Sequence, residues 1–147
     1  MKLKNETLSK NFLIYGFGKS GISSLKYLKK KNRCFIFDDD KKKIKNKNKK
    51  FFISKSKLLN NNFDYIVISP GININRCQLS NYLKKNQKKV ITDFDIFYKF
   101  NPEVLTITIT GTNGKSTTSK LLYDILKKHH YDTRLTGNIG NPILEEK

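Results

Sequence analysis

Asn11-Phe12-Leu13-Ile14-Tyr15-Gly16-Phe17-Gly18-Lys19-Ser20-Gly21 runs from a short apolar stretch directly into three glycines at GxGxxG spacing. The apolar run reads as a buried strand. The glycines permit a tight turn, close approach of backbone to a diphosphate, and close packing of a following helix on the strand. That helix is expected from Ser20 to Lys31, where Ile22, Leu25, Tyr27 and Leu28 recur at helical spacing among lysines. Cys34-Phe35-Ile36-Phe37 reads as a second strand, stopped by Asp38-Asp39-Asp40. Asp38 lies near the roughly 20-residue offset at which an acid meets a ribose hydroxyl. GxGxxG alone is a weak signal, but here a strand precedes it and a helix follows. The expected ligand carries a diphosphate, with NAD as one candidate, while Asp39 and Asp40 fit a solvated turn equally well.

Further along, Lys41 to Lys50 is a Lys/Asn run whose one apolar residue is Ile44, a solvated loop or frayed helix by composition. Phe51-Phe52-Ile53 is a weak strand and Tyr65-Ile66-Val67-Ile68 a strong one, closed by the turn signal Ser69-Pro70-Gly71. Arg76 to Asn86 suits a helix, and Val90-Ile91 a last short strand. Strands alternating with helices define an α/β class with a parallel sheet. Residues 1–92 are therefore expected to form one Rossmann-like domain.

Residues 93–147 are expected to start a second domain. Val104 to Thr110 is β-branched at nearly every position, as in a strand buried on both faces. Gly111-Thr112-Asn113-Gly114-Lys115-Ser116-Thr117 follows, then a helix to about His129 with Leu121, Leu122, Ile125 and Leu126 as its apolar stripe. This strand–loop–helix presents backbone N–H groups and the positive end of a helix dipole to an anion. Gly111 and Gly114 let the chain turn around it. Lys115 adds a charge for the β/γ-phosphates, and Ser116 a hydroxyl for Mg²⁺. The stretch is thus a phosphate-binding loop for ATP, although Ile109 stands where GxxxxGK[ST] has its first glycine. A further short strand is expected at Thr133 to Thr136. One βαβ unit of this size buries too little surface for a core of its own, so the second domain is expected to be incomplete.

The balance of 30 basic and 12 acidic residues gives a net charge of +18. Nearly all the positive charge is lysine, alanine is absent, and Lys, Asn, Ile, Phe and Tyr are all heavily used. That pattern follows from AT-rich codons without a polyanion partner, so no specific nucleic-acid function is inferred. Cys34 and Cys77 are isolated, as free thiols in a reducing cytosol are. No apolar run approaches the ~20 residues of a membrane span, and a cytoplasmic monomer is expected. His129 and His130 stand at a helix C-terminus, where a cation is mildly favoured, and Asp93 suits a helix cap.

Taken together, Tyr15 to Gly21, Ile68-Ser69-Pro70-Gly71-Ile72, Thr92-Asp93-Phe94-Asp95-Ile96-Phe97, Ile109 to Thr117 and Gly137-Asn138-Ile139-Gly140 make the chain resemble the Mur ligases. Within that family it is most similar to the members that add D-glutamate to UDP-N-acetylmuramoyl-L-alanine. Ile is normal in the family at the position of Ile109. The resemblance implies that Gly16, Gly18, Lys19, Ser20, Gly21, Asp38, Asp39, Gly71 and Asn138 contact the UDP substrate rather than NAD. It implies that residues 111–117 wrap the ATP phosphates, with Lys115 and Ser116 taking part in catalysis and Ser116 serving Mg²⁺. The family's reaction forms an acyl phosphate on the substrate carboxylate, which the D-glutamate amine attacks. Family members are about three times longer, so the chain is expected to be an N-terminal fragment, inactive alone. The alternative is an NAD- or nucleotide-binding Rossmann module without ligase activity.

Overall fold

The computed structural model describes residues 9–43, 46–137 and 139–146. Its centre is a parallel sheet of β1 (Asn11–Tyr15), β2 (Arg33–Phe37), β3 (Tyr65–Ile68) and β4 (Val90–Ile91), in the order β2-β1-β3-β4. β1 pairs with β2 from Asn11↔Arg33 to Tyr15↔Phe37, and with β3 from Phe12↔Tyr65 to Tyr15↔Ile68. Parallel neighbours need a crossover, and each is supplied by a helix. α1 (Lys19–Leu28) joins β1 to β2, α2 (Lys55–Leu59) lies between β2 and β3, and α3 (Ser80–Lys85) between β3 and β4.

Because side chains alternate along a strand, β1 feeds two cores. Phe12 and Ile14 join Leu25 and Leu28 of α1, Ile36 of β2 and Val67 of β3 on one face. Leu13 and Tyr15 join Leu58 of α2, Leu79, Leu83 of α3, and Phe63 on the other. Both faces are covered, which is why β1 and β3 read as continuous apolar runs rather than alternating ones. The expected third strand at Phe51-Phe52-Ile53 reduces to a single bridge between Ile36 and Phe52. A 3-10 turn, Asn46–Phe51, leads into it. α2 has no counterpart in the sequence reading. It is five residues long, too short to show a period, and is placed by Ser54 capping its start and by Leu58, fully buried.

α4 (Asp93–Phe100) carries the chain out of the sheet. Its cap is Thr92, not Asp93: the Thr92 hydroxyl accepts from the Asp95 N–H, and the Asp95 carboxylate accepts from the Thr92 N–H. Asp93 is instead buried, with Oδ1 accepting from the Phe94 N–H at 3.1 Å. Packing does not break at residue 92. Ile96 of α4, and Ile143 and Leu144 of a 3-10 turn at Ile143–Glu145, all lie in the α1-side core.

The strands expected at 104–110 and 133–136 are not formed. Residues 104–110 carry no sheet pairing, and Leu105 is 98% exposed. β-branched composition favours a strand only where a neighbour supplies the ladder, and among the described residues none lies beside this segment. Thr136 makes one isolated bridge, to Asn141. α5 (Lys115–Lys128) does form, but its expected apolar stripe is not buried: Leu121 and Ile125 are exposed.

Candidate functional site

Chain order runs outward from β1 to β2 on one side and to β3 and β4 on the other. The sheet therefore has a switch point between β1 and β3, where ligands of open α/β sheets bind beyond the strand C-termini. Gly16, Asp38 and Ser69 are the residues that follow β1, β2 and β3. The strand ladder continues through them, since the Gly16 N–H donates to Phe37 O at 2.9 Å and the Ser69 N–H to Tyr15 O at 3.0 Å.

The glycine turn is clamped from both sides. The Ser69 hydroxyl donates to the Gly16 carbonyl at 2.8 Å, and the Phe17 N–H donates to Asp38 Oδ2 at 2.6 Å. Each glycine then has a separate reason. Gly16 sits at φ +93, where side chains are strained, and a Cβ there would lie 2.8 Å from Ser69 Cβ. A Cβ on Gly21 would lie 2.0 Å from the Gly16 carbonyl oxygen, so α1 touches the turn only because Gly21 is bare. A Cβ on Gly18 would meet nothing within 4 Å, and the same holds for Gly71. Gly16 and Gly21 serve internal packing, whereas Gly18 and Gly71 leave the backbone open to a ligand. Lys19 and Ser20 open α1, whose start has Gly18 as cap residue and no side-chain cap. No side chain therefore caps the first N–H groups of α1, and the unpaired N–H groups at a helix start favour an anion.

Asp38 is held differently from a free ribose acceptor. Its Oδ2 accepts from Phe17 and from Lys43 Nζ (3.0 Å), and its Oδ1 from the Asp40 N–H at 2.8 Å. The side chain is 3% exposed. Burial pushes its carboxyl up, but the two backbone N–H groups and the Lys43 ammonium together outweigh this and hold it below the ordinary carboxylate value. Both Asp39 oxygens accept from the Tyr15 hydroxyl, at 2.8 and 2.9 Å. Burial first, then contacts with Cys77 and Asp39, raise the Tyr15 phenol well above its usual range, so it stays a neutral donor. All three acidic side chains accept hydrogen bonds within the chain, Asp40 Oδ1 from the Lys42 N–H at 2.9 Å. Tyr15 and Ser69 as clamps were not legible beforehand, since one read as core and the other as a turn.

A second candidate site is the 111–117 loop. Gly111 and Gly114 have φ +143 and +76, and Gly114 caps α5 without a side-chain bond. Lys115 Nζ donates to the carbonyls of Gly111 and Thr112, the latter at 3.0 Å, so the ammonium lies over the loop. Thr112, Asn113, Ser116 and Thr117 are exposed around it. The loop thus combines left-handed glycines, the start of a 14-residue helix without a side-chain cap, and a lysine ammonium folded over the loop carbonyls. Asn138 lies outside the described residues. Among the described residues no cluster of His, Cys, Asp and Glu suits a metal, and no helix is long and apolar enough to cross a membrane.

Residues 10–92, the sheet with its clamped turn, match the family model described as Mur ligase MurD-like, N-terminal domain. The chain belongs to the MurD-like Mur ligases. A UDP-N-acetylmuramoylalanine–D-glutamate ligase of Rickettsia bellii is 34% identical to it over 141 residues, covering 93% of this chain and 31% of the relative. The protein of the same name from Clostridioides difficile is 32% identical over 149 residues, covering 92% and 32% respectively. That of Francisella tularensis reaches 40% over 88 residues, or 58% of this chain and 21% of the relative. The chain thus spans about a third of the length of the first two MurD-like relatives. The likeness extends past the matched N-terminal domain, since 93% of the chain cannot be aligned without the 111–117 loop or α5.

Proposed function

We propose that this chain is the nucleotide-substrate-binding and phosphate-loop part of an ATP-dependent, ADP-forming ligase that adds D-glutamate to UDP-N-acetylmuramoyl-L-alanine. The observation that carries this reading is the clamped Gly16–Gly21 turn at the β1/β3 switch point, in a domain shared with relatives of that name. In this reading Gly18, Lys19 and Ser20 receive the diphosphate on the first N–H groups of α1. Gly71 and Asp39 line the uridine side, and Asp38 acts through Phe17 by holding the turn. Asn138 is the proposed contact from the second unit, residues 93–147 being the start of the ATP-binding domain.

In the 111–117 loop, Lys115 is proposed to swing from the loop carbonyls onto the β/γ-phosphates. There it would offset charge building on the phosphoryl group as it moves to the substrate carboxylate. Ser116, first exposed hydroxyl of α5, is the residue proposed for Mg²⁺, which supplies further charge compensation when bound. The remaining groups for ligation are proposed to reside in the portion of the relatives that this chain does not match.

The engagement of both Asp38 oxygens within the chain favours this reading over an NAD module, which needs that carboxylate for a ribose. Titration calorimetry tests it. UDP-N-acetylmuramoyl-L-alanine is expected to bind saturably, and Lys19→Ala with Ser20→Ala to weaken it at least about tenfold, as loss of charge-assisted bonds to a diphosphate should. Saturable heat with NAD and none with the UDP-sugar would overturn the proposal.

A further inference from the structure

Ile143 and Leu144 are 4% and 8% exposed, although they follow α5, whose own residues are all at least partly exposed. They are buried against the first unit, in contact with both α1 and α4. Glu145 adds an ion pair to Lys26 of α1 at 2.8 Å. The chain just before this segment is itself tightly closed. Thr136 bridges Asn141, Gly140 packs where a Cβ would lie 2.0 Å from the Leu135 carbonyl oxygen, and Glu146 accepts from Asn141 Nδ2 at 2.8 Å.

We propose that residues 142–146 are a strap that docks in the groove between α1 and α4 and ties the second unit to the core of the first. The chain thus leaves the first unit through α4 and is tied back to it at Ile143 and Leu144. The occupant of the groove is this chain's own Ile-Leu-Glu segment, two apolar side chains on an apolar floor and an acid over the lysine of α1. Gly140, packed against Leu135, is only three residues from Ile143, so the strap lies directly after the Thr136–Asn141 bridge. α1 begins at the diphosphate turn and is held at Lys26 by the strap, so one helix carries both attachments. This inference does not depend on which nucleotide the turn binds.

The test is made on the full chain, with a recognition site for a sequence-specific protease inserted between Pro102 and Glu103. After cleavage the two pieces are expected to co-elute in gel filtration under native conditions, and to separate when the cleaved chain carries Ile143→Ala and Leu144→Ala. Separation of the pieces without those substitutions would overturn the proposal, as would co-elution that persists with them. Hydrogen exchange on the uncleaved protein is an independent measure. In the double variant, amides in the last turn of α1 and in α4 are expected to exchange at least tenfold faster while those of α5 are unchanged. Equal exchange at α1 and α4 would likewise exclude the strap.

Discussion

Asp38 is the residue on which the glycine turn depends, since its carboxylate accepts from the Phe17 N–H within that turn. Replacing it with Ala leaves the Phe17 and Asp40 N–H groups without their acceptor and Lys43 without its partner. The expected cost is about 1–3 kcal/mol, read from urea midpoints at neutral pH. Its folded pKa is lowered, so its contribution is complete above the unfolded carboxyl value of about 3.9 and fades as pH falls through the folded value. The gap in stability between wild type and Asp38→Ala is therefore expected to narrow between pH 6 and pH 3. A gap that widens on acidification would exclude this role. The glycines make a paired prediction. Gly21→Ala drives a Cβ into the Gly16 carbonyl and is expected to destabilise the fold by about 3 kcal/mol, the upper range for overpacking. Gly18→Ala meets no atom of the chain, so it should leave the unfolding midpoint nearly unchanged while weakening diphosphate binding in calorimetry. At this scale the tight turn at Gly16 and the close packing at Gly21 were legible, because the spacing itself encodes them. The acids were not. Asp38 at its offset looks the same in sequence whether its carboxylate faces a ribose or the Phe17 N–H, and only the backbone path of the turn decides.

At the level of elements, legibility followed where each segment finds its partner. β1, β2 and β3 were readable from Phe12–Tyr15, Cys34–Phe37 and Tyr65–Ile68, since continuous apolar runs of that length need two covered faces. Val104 to Thr110 has an even stronger strand composition and forms no strand. Propensity of this kind measures fit to a pleated neighbour, and the described chain offers it none. The same holds for α5: its amphipathic pattern predicted the helix correctly, but an apolar stripe does not itself provide the surface that buries it. Leu105 and Ile107 are 98% and 68% exposed next to backbone without ladder partners, a template for self-association. Leu105→Lys with Ile107→Lys is expected to raise the concentration at which the protein stays monodisperse in light scattering. Its thermal midpoint should shift by less than about 0.5 kcal/mol equivalent, as for other surface changes. A clear loss of stability would show that these side chains are already buried in solution.

For the molecule as a whole, charge and connectivity matter most. A net charge of +18 spread over lysines on most exposed elements gives long-range attraction to any polyanion without a shaped site. Retention on an immobilised nucleic acid is expected at low salt for any base sequence, with a steep fall in log affinity against log salt. A preference for one sequence that survives moderate salt would contradict that view. Connectivity has another effect, through the order in which the chain is made. Two side chains of the α1-side core, Ile143 and Leu144, follow that sheet's last strand by about fifty residues. During synthesis at about 5–20 residues per second, the sheet and α1 wait several seconds before the groove over them can be filled. For that interval the nascent domain exposes apolar surface between α1 and α4. This is the period in which a chaperone or a neighbouring nascent chain has access to it.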